Sequence, residues 1–189
     1  MHFLTGTQNA LSQNVVSKMA SYRHRVFVDK LGWQLNCVVG RELDQFDRED
    51  TVYVIAEDDL GDVVGTARLL PTNRPYLLGE IFPQLMGGSS VPSSPLIWEL
   101  SRFAAVDFNA QSAGPLGQFS SHLTLQLLRA TAAVAASHGA QRLITVSPLG
   151  IERLLRNTGF MAHRAAPPIM IDGQPVLACW IELQGMPSD

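Results

Sequence analysis

Residues 51–57, Thr-Val-Tyr-Val-Ile-Ala-Glu, form a nearly unbroken apolar run rich in β-branched side chains. Such a run reads as a strand buried in a sheet. The turn residues Asp58-Asp59-Leu60-Gly61-Asp62 follow, and Val63 to Leu70 (VVGTARLL) then reads as the hairpin partner. Three more stretches have strand character: Leu96 to Val106 (LIWELSRFAAV), Arg142 to Val146, and Val176 to Leu183 (VLACWIEL).

Helical periodicity fills the intervals. Leu11, Val15, Val16, Met19 and Ala20 recur at the spacing of an amphipathic first helix. Tyr22 to Leu31 continues the helical pattern up to Gly32. Phe119, Leu123, Leu127, Ala130 and Val134 mark a long helix that stops at Gly139. Ser147 followed by Pro148 predicts a capped helix start, with Ile151, Leu154 and Leu155 on its apolar side. Residues 34–50, 83–95 and 109–117 read as loops, and 167–175 as turns. Helices, a hairpin and a β–α–β–α–β alternation predict a mixed α/β fold.

Composition limits the function classes. Hydrophobic residues make up 46% and charged residues 16% of 189 residues, enough for a sizeable core in one domain. The net charge of −3 argues against a nucleic-acid binder. No stretch approaches 18 apolar residues, and the first residues lack the pattern of a signal peptide, so a cytoplasmic protein without a membrane span is expected. Cys37 and Cys179 stand far apart and outside any metal-ligand spacing; they are expected to be free thiols, with no metal bound.

The chemically informative residues are charges placed where a core does not need them. Arg23 and Phe27 share a helix face four residues apart, although an arginine there also fits a solvated face. Asp44 and Asp47 lie in the long loop, where they could cap turns or hold a cation. Arg68 interrupts an apolar strand, and a buried arginine requires an anionic partner; the loop acids are the candidates. Glu99 and Arg102 interrupt the next strand. Three residues apart, they point to opposite faces unless a bulge re-aims one of them.

Taken in order, Arg23, Phe27, Trp33, Asp44, Asp47, Arg68, Phe82, Glu99 and Arg102 resemble the signature set of the acyl-homoserine-lactone synthase family of quorum sensing. The strings "HRVFV", "LGW" and "WELSRF" strengthen the likeness, which spans roughly residues 1–183. The resemblance implies an N-acetyltransferase-like three-layer α-β-α sandwich around a twisted mixed sheet. It implies one domain over 1–189, with N-terminal helices and a lid loop in 1–50 and an acyltransferase core in 51–189.

It also implies a reaction: acyl transfer from acyl-carrier protein, or acyl-CoA, to the amine of S-adenosylmethionine. Lactonisation with release of methylthioadenosine follows, and no cofactor or metal is required. Glu99, Arg102 and Ser101 would form the catalytic centre, with Glu99 as base and a backbone N–H of residues 101–106 as oxyanion donor. Asp44, Asp47 and Arg68 would shape the S-adenosylmethionine pocket, Arg23, Phe27 and Trp33 would close over it, and Phe82 would pack on the ligand. Leu100, Phe103, Thr124, Leu128, Thr145 and Ser147 would line an acyl tunnel, although Ser147 also fits a helix cap. Arg142, Arg153, Arg156 and Arg164 would dock the acidic carrier protein. An acetyl-CoA-dependent N-acetyltransferase and a non-catalytic small-molecule sensor are the competing readings. The first is disfavoured because residues 111–117 match a pyrophosphate-binding loop poorly.

Overall fold

A computed structural model describes residues 1–109 and 122–183. The loop expected over 109–117, apart from Asn109, and Phe119 of the predicted long helix lie outside the described residues. The chain divides into two compact units, residues 1–68 with 102–134 and residues 69–101 with 135–189.

The first unit begins with β1 (His2–Thr7), which pairs antiparallel with β2 (Val52–Glu57), from His2 opposite Glu57 to Thr7 opposite Val52. β3 (Val63–Pro71) and β4 (Ile97–Ala105) follow, and the strand order is β1-β2-β3-β4. Helix α1 (Gln13–Arg23) starts at Ser12, whose hydroxyl accepts the amide N–H of Val15. It buries Val16 and Met19 against Tyr53 and Ile55 of β2. Helix α3 (His122–Ser137) lies on the other face, where Gly65 meets Leu127, Ala56 and the carbonyl of Ala104. The sheet is therefore sandwiched between helices here. α1 runs straight into a wider π-helical turn over His24–Lys30, in which Leu31 donates to the carbonyl of Val26, five residues back.

In the second unit β4 pairs in parallel with β5 (Arg142–Pro148), from Ile97 opposite Arg142 to Glu99 opposite Ile144. The order continues β5-β8-β6, with β6 (Met161–Arg164) and β7 (Ile169–Ile171) both antiparallel to β8 (Gln174–Glu182). Short helices α2 (Leu77–Ile81) and α4 (Ile151–Asn157) complete it. These eight strands, parallel only at β4–β5 among the registers above, make the mixed α/β architecture expected from the sequence.

The first residues, to which the sequence reading assigns no element, form strand β1 on the edge of β2. Two local expectations are corrected. Residues 83–95 are not all loop, because Pro83–Met86 is a 3-10 turn. Ser147 does not cap a helix: Ser147 and Pro148 pair with Leu177 and Val176 inside β5. The following helix starts after Gly150, whose φ of 104° makes the break that a side-chain-bearing residue resists. Ladder pairing with β8 outweighs the local cap signal.

No helix among the described residues is long and apolar enough to cross a membrane.

Candidate active site

The buried charges of the first unit close into a ring. The Arg23 Nε donates to Glu42 Oε2 at 2.5 Å, and Glu42 Oε1 accepts from Arg102 Nε at 3.1 Å and Nη2 at 3.0 Å. Arg102 Nη2 donates to Asp44 Oδ2 at 2.7 Å, and Asp44 Oδ1 accepts from Arg68 Nη1 at 2.6 Å. Arg68 reaches Asp47 Oδ2 at 3.1 Å, and the two terminal nitrogens of Arg23 meet Asp47 at 2.8 and 3.0 Å. Three guanidiniums thus alternate with three carboxylates. Each charge lies between two of opposite sign, the condition under which buried ions hold their place.

Asp47 carries the most bonds. It also accepts from the Tyr53 hydroxyl and from the backbone N–H of Asp44. Burial alone raises a carboxyl's affinity for its proton, but the guanidiniums of Arg23 and Arg68 outweigh that and hold Asp47 far below the usual carboxylate range. Glu42 is lowered by the same contest, burial against Arg23 and Arg102. The Tyr53 hydroxyl is pushed up by burial and by the Asp47 charge, so it stays a hydrogen-bond donor.

The ring binds together segments far apart in sequence: α1, the 42–47 loop, β3 and β4. It accounts for the long loop, which needs no regular structure because its carboxylates are fixed by three arginines. The side-chain exposure of the carboxylates differs: 1% for Glu42, 2% for Asp47 and 14% for Asp44. Asp44 is the ring carboxylate that keeps contact with solvent.

Arg23 was expected to cover the site, but it is wholly buried in the ring. The aromatic pair takes the outer position. Phe27 stacks on Trp33 with centroids 4.8 Å apart and planes 24° apart, and Trp33 remains 42% exposed. The guanidinium carbon of Arg102 lies 5.6 Å from the Phe27 ring and 6.0 Å from that of Trp33, within cation–π range. The π-helical turn carries Phe27, and the N–H of Trp33 bonds back to the Phe27 carbonyl at 2.9 Å.

Arg102 itself has φ of 48°, a left-handed conformation that costs roughly 1–2 kcal/mol for a residue with a Cβ. The bidentate bond to Glu42 and the bond to Asp44 hold it there. This local turn of the chain is how two charges three apart on β4 serve different partners. One expected oxyanion donor is spoken for: the N–H of Val106 donates to the hydroxyl of Tyr22 at 2.8 Å.

In the second unit Glu99 is fully buried, and its carboxylate accepts the N–H groups of Leu77 at 3.2 Å and Leu78 at 2.6 Å. Those are the first two amides of α2, so an anion from β4 caps a helix that lacks a side-chain cap of its own. Tyr76 precedes it; burial and the Glu99 charge keep its phenol protonated, and it donates to the carbonyl of Pro92. Ser101 is buried on β4, and Phe82 is half-buried at the end of α2.

Of the expected acyl-tunnel residues, Leu100, Thr145 and Ser147 are buried in the second unit. The hydroxyls of Thr145 and Ser147 lie 3.2 Å apart. Thr124 and Leu128 are buried, and Phe103 half-buried, in the first unit. The four docking arginines differ. Arg142 pairs with Glu182 and stacks 4.0 Å over Trp180; Arg156 and Arg164 both pair with Glu152. Arg153 alone of the four is exposed with no ion pair among the described residues. It borders a cavity of about 340 Å³ with Leu149, Glu152, Arg156, Asn157 and Arg164.

One ring member, Glu42, and one residue bonded to the ring, Tyr53, escape the sequence reading. Glu42 stands two residues before Asp44 in a polar stretch that gives no sign of burial. Tyr53 looks like an ordinary core aromatic in its apolar strand. The requirement of Arg23, Arg68 and Arg102 for three anions is the signal that points to Glu42.

Comparison with known proteins identifies the family. The autoinducer synthase family model matches residues 7–185. The acyl-homoserine-lactone synthase of Acinetobacter nosocomialis is 52% identical over 183 residues, covering 97% of this chain and all of that protein. The crystal structure of TofI in a ternary complex with an inhibitor and MTA superposes with TM-score 0.82 at 43% identity, over 97% of this chain and 92% of that one. BjaI, a CoA-dependent acyl-homoserine lactone synthase solved with SAM and isopentyl-CoA, gives TM-score 0.83 at 28% identity, over 97% and 83%. An N-acetyltransferase-class protein of Lactobacillus plantarum shares the fold at TM-score 0.61 and 17% identity, over 96% and 97%. The chain belongs to the acyl-homoserine-lactone synthase family and is an acyltransferase of N-acetyltransferase-like fold.

Proposed function

We propose that this enzyme transfers a medium-chain acyl group from acyl-carrier protein to S-adenosylmethionine in the cytoplasm and then closes the lactone. The observation that carries the reading is the neutral charge ring under the Phe27–Trp33 stack. The stacked rings offer a face for adenosine. Asp44, the ring carboxylate with solvent contact, offers an anion for the cationic methionine part. Arg68 and Arg102 hold that anion in place, and the half-buried Phe82 adds an apolar contact.

In the first step the amine nitrogen attacks the thioester carbonyl carbon, its proton passes to Glu99, and the carrier thiolate departs. The amides of Leu77 and Leu78 fix the Glu99 carboxylate in the orientation in which it takes that proton. Arg102 and Ser101 flank the same stretch of β4, where backbone amides of 101–105 serve the oxyanion. In the second step the methionine carboxylate oxygen attacks its own γ-carbon. The C–S bond breaks, the sulfonium becomes a neutral thioether, and methylthioadenosine leaves. Both partners are one molecule, so positioning supplies much of the rate.

Leu100, Phe103, Thr124 and Leu128 surround the acyl chain in this reading, and the Thr145–Ser147 hydroxyl pair meets polarity at its third carbon. Arg153, with Arg142, Arg156 and Arg164 nearby in sequence, attracts the acidic carrier.

The test is mass spectrometry of organic extracts from a lactone-free bacterium expressing the chain, beside a Glu99→Gln variant. The wild-type culture should yield an N-acyl-homoserine lactone whose mass gives the acyl length and third-carbon oxidation state. The variant should yield at least about a hundredfold less, the scale of a lost general base. Absence of lactone from folded wild-type protein overturns the reading.

A further inference from the structure

The hydroxyl of Tyr22 is buried where neither the charge ring nor the aromatic pair uses it. It donates to the carbonyl of Val64 at 2.9 Å and accepts from the N–H of Val106 at 2.8 Å. Val64 lies near the start of β3, and Val106 immediately follows β4. One phenol oxygen therefore ties α1 to the backbone of two strands. Burial raises its proton affinity, so it keeps the proton that the bond to Val64 requires. The ring is held edge-on by Phe108, with centroids 5.9 Å apart, and packs with Val26, Phe27, Ala104 and Val106.

Position along the chain gives this contact its meaning. Arg23, the next residue, fixes Glu42, and Glu42 fixes Arg102. Four residues beyond the left-handed Arg102, the chain is caught again by Tyr22. The segment from Arg102 to Val106 is thus held at one end through its side chain and at the other through its backbone, both by adjacent residues of α1. β4 continues to Ala105 past the left-handed Arg102, and the bond at Val106 gives the strand a second fixed point just beyond that kink.

We infer that Tyr22 is a positioning residue for the chemical step: by anchoring Val106 to Val64 it sets the direction of the backbone amides between Arg102 and Val106 that face the reacting thioester. The inference rests on the proposed reaction. Misdirecting such donors lowers turnover while leaving the S-adenosylmethionine contacts of the ring and aromatic pair intact.

Tyr22→Phe keeps the ring and removes the hydroxyl. With medium-chain acyl-carrier protein as donor, kcat should fall roughly ten- to a hundredfold, while the calorimetric Kd for S-adenosylmethionine stays within about twofold of wild type. Phe108→Leu loosens the same cluster without touching either hydrogen bond. It should lower Tm yet keep kcat within about twofold when assayed well below Tm. Wild-type kcat in Tyr22→Phe, an equal loss of kcat in Phe108→Leu, or loss of S-adenosylmethionine binding along with turnover overturns the inference in favour of a packing role. Hydrogen exchange at the Val106 amide tests the anchor without a substitution. Slow exchange is expected, and exchange as fast as an exposed turn amide overturns it even if the variant fails to fold. If wild-type protein forms no lactone, the proposed reaction fails first and the inference falls with it.

Discussion

At the scale of single residues, the charge ring makes quantitative demands. Asp47 joins Arg23, Arg68, Tyr53 and the Asp44 amide, so Asp47→Ala leaves two buried guanidiniums short of an anion. The expected loss is about 3–5 kcal/mol of unfolding free energy, read from denaturant titration. Asp50→Ala, which breaks the partly exposed pair with Arg48, should cost about 0–1 kcal/mol and serves as the control. A pH dependence follows with a definite sign. Asp47 and Glu42 have folded-state affinities for protons below their unfolded ones, so the unfolded chain binds more protons in acid. Their contribution is complete above the unfolded carboxylate range near about pH 4 and is lost as pH falls below it. Tm should therefore be level from pH 7 to 5 and drop steeply below about pH 4, less so in Asp47→Ala.

This is also the scale at which the sequence was most legible. Arg68, Glu99 and Arg102 are conspicuous because they interrupt apolar strands, and a buried charge implies a partner. Glu42 and Tyr53 carry no such mark of their own, one among polar neighbours and the other among apolar ones; the count of anions that three arginines need points to Glu42, and only the fold reveals Tyr53. The reassignment of Arg23 from cover to ring has the same origin, since helical spacing gives a face but not what lies against it.

At the scale of elements, α1, β2, β3, β4, β5 and β8 follow from runs and periodicities long enough to outweigh their surroundings. The short elements do not. α2 spans Leu77–Ile81, and its first two amides are satisfied by Glu99 from 22 residues further along the chain, which no local pattern encodes. Ser147-Pro148 carries a sound helix-start signal and is still strand, because seven residues of β5 pair with β8. β1 is an edge strand defined by its pairing with β2. Packing between elements is close where Gly65 of β3 faces α3. A Cβ there would stand 3.1 Å from Leu127 Cδ2, 3.2 Å from Ala56 Cβ and 3.4 Å from the Ala104 carbonyl. Gly65→Val should destabilise by about 1–3 kcal/mol through overpacking, visible as a lowered Tm. The same substitution at the open Gly139 would instead act through its positive φ.

At the scale of the molecule, the family and the fold are those that the sequence resemblance implies. Three of the four C-terminal arginines are ion-paired among the described residues, and in the proposed reading Arg153 is the one left to meet an acidic carrier. Three guanidiniums and three carboxylates cancel in the ring, which therefore presents one partly exposed carboxylate beside an aromatic stack, the face that the proposed reading gives to S-adenosylmethionine. The measurement that bears most directly on the central claim is a reaction of purified enzyme with medium-chain acyl-carrier protein and S-adenosylmethionine labelled with carbon-13 in the methionine carbons. Products are followed by mass spectrometry. The account predicts label in the homoserine lactone ring and one methylthioadenosine released for each lactone formed. Labelled acyl-amide accumulating without methylthioadenosine, or no product from folded enzyme that binds S-adenosylmethionine, would contradict it.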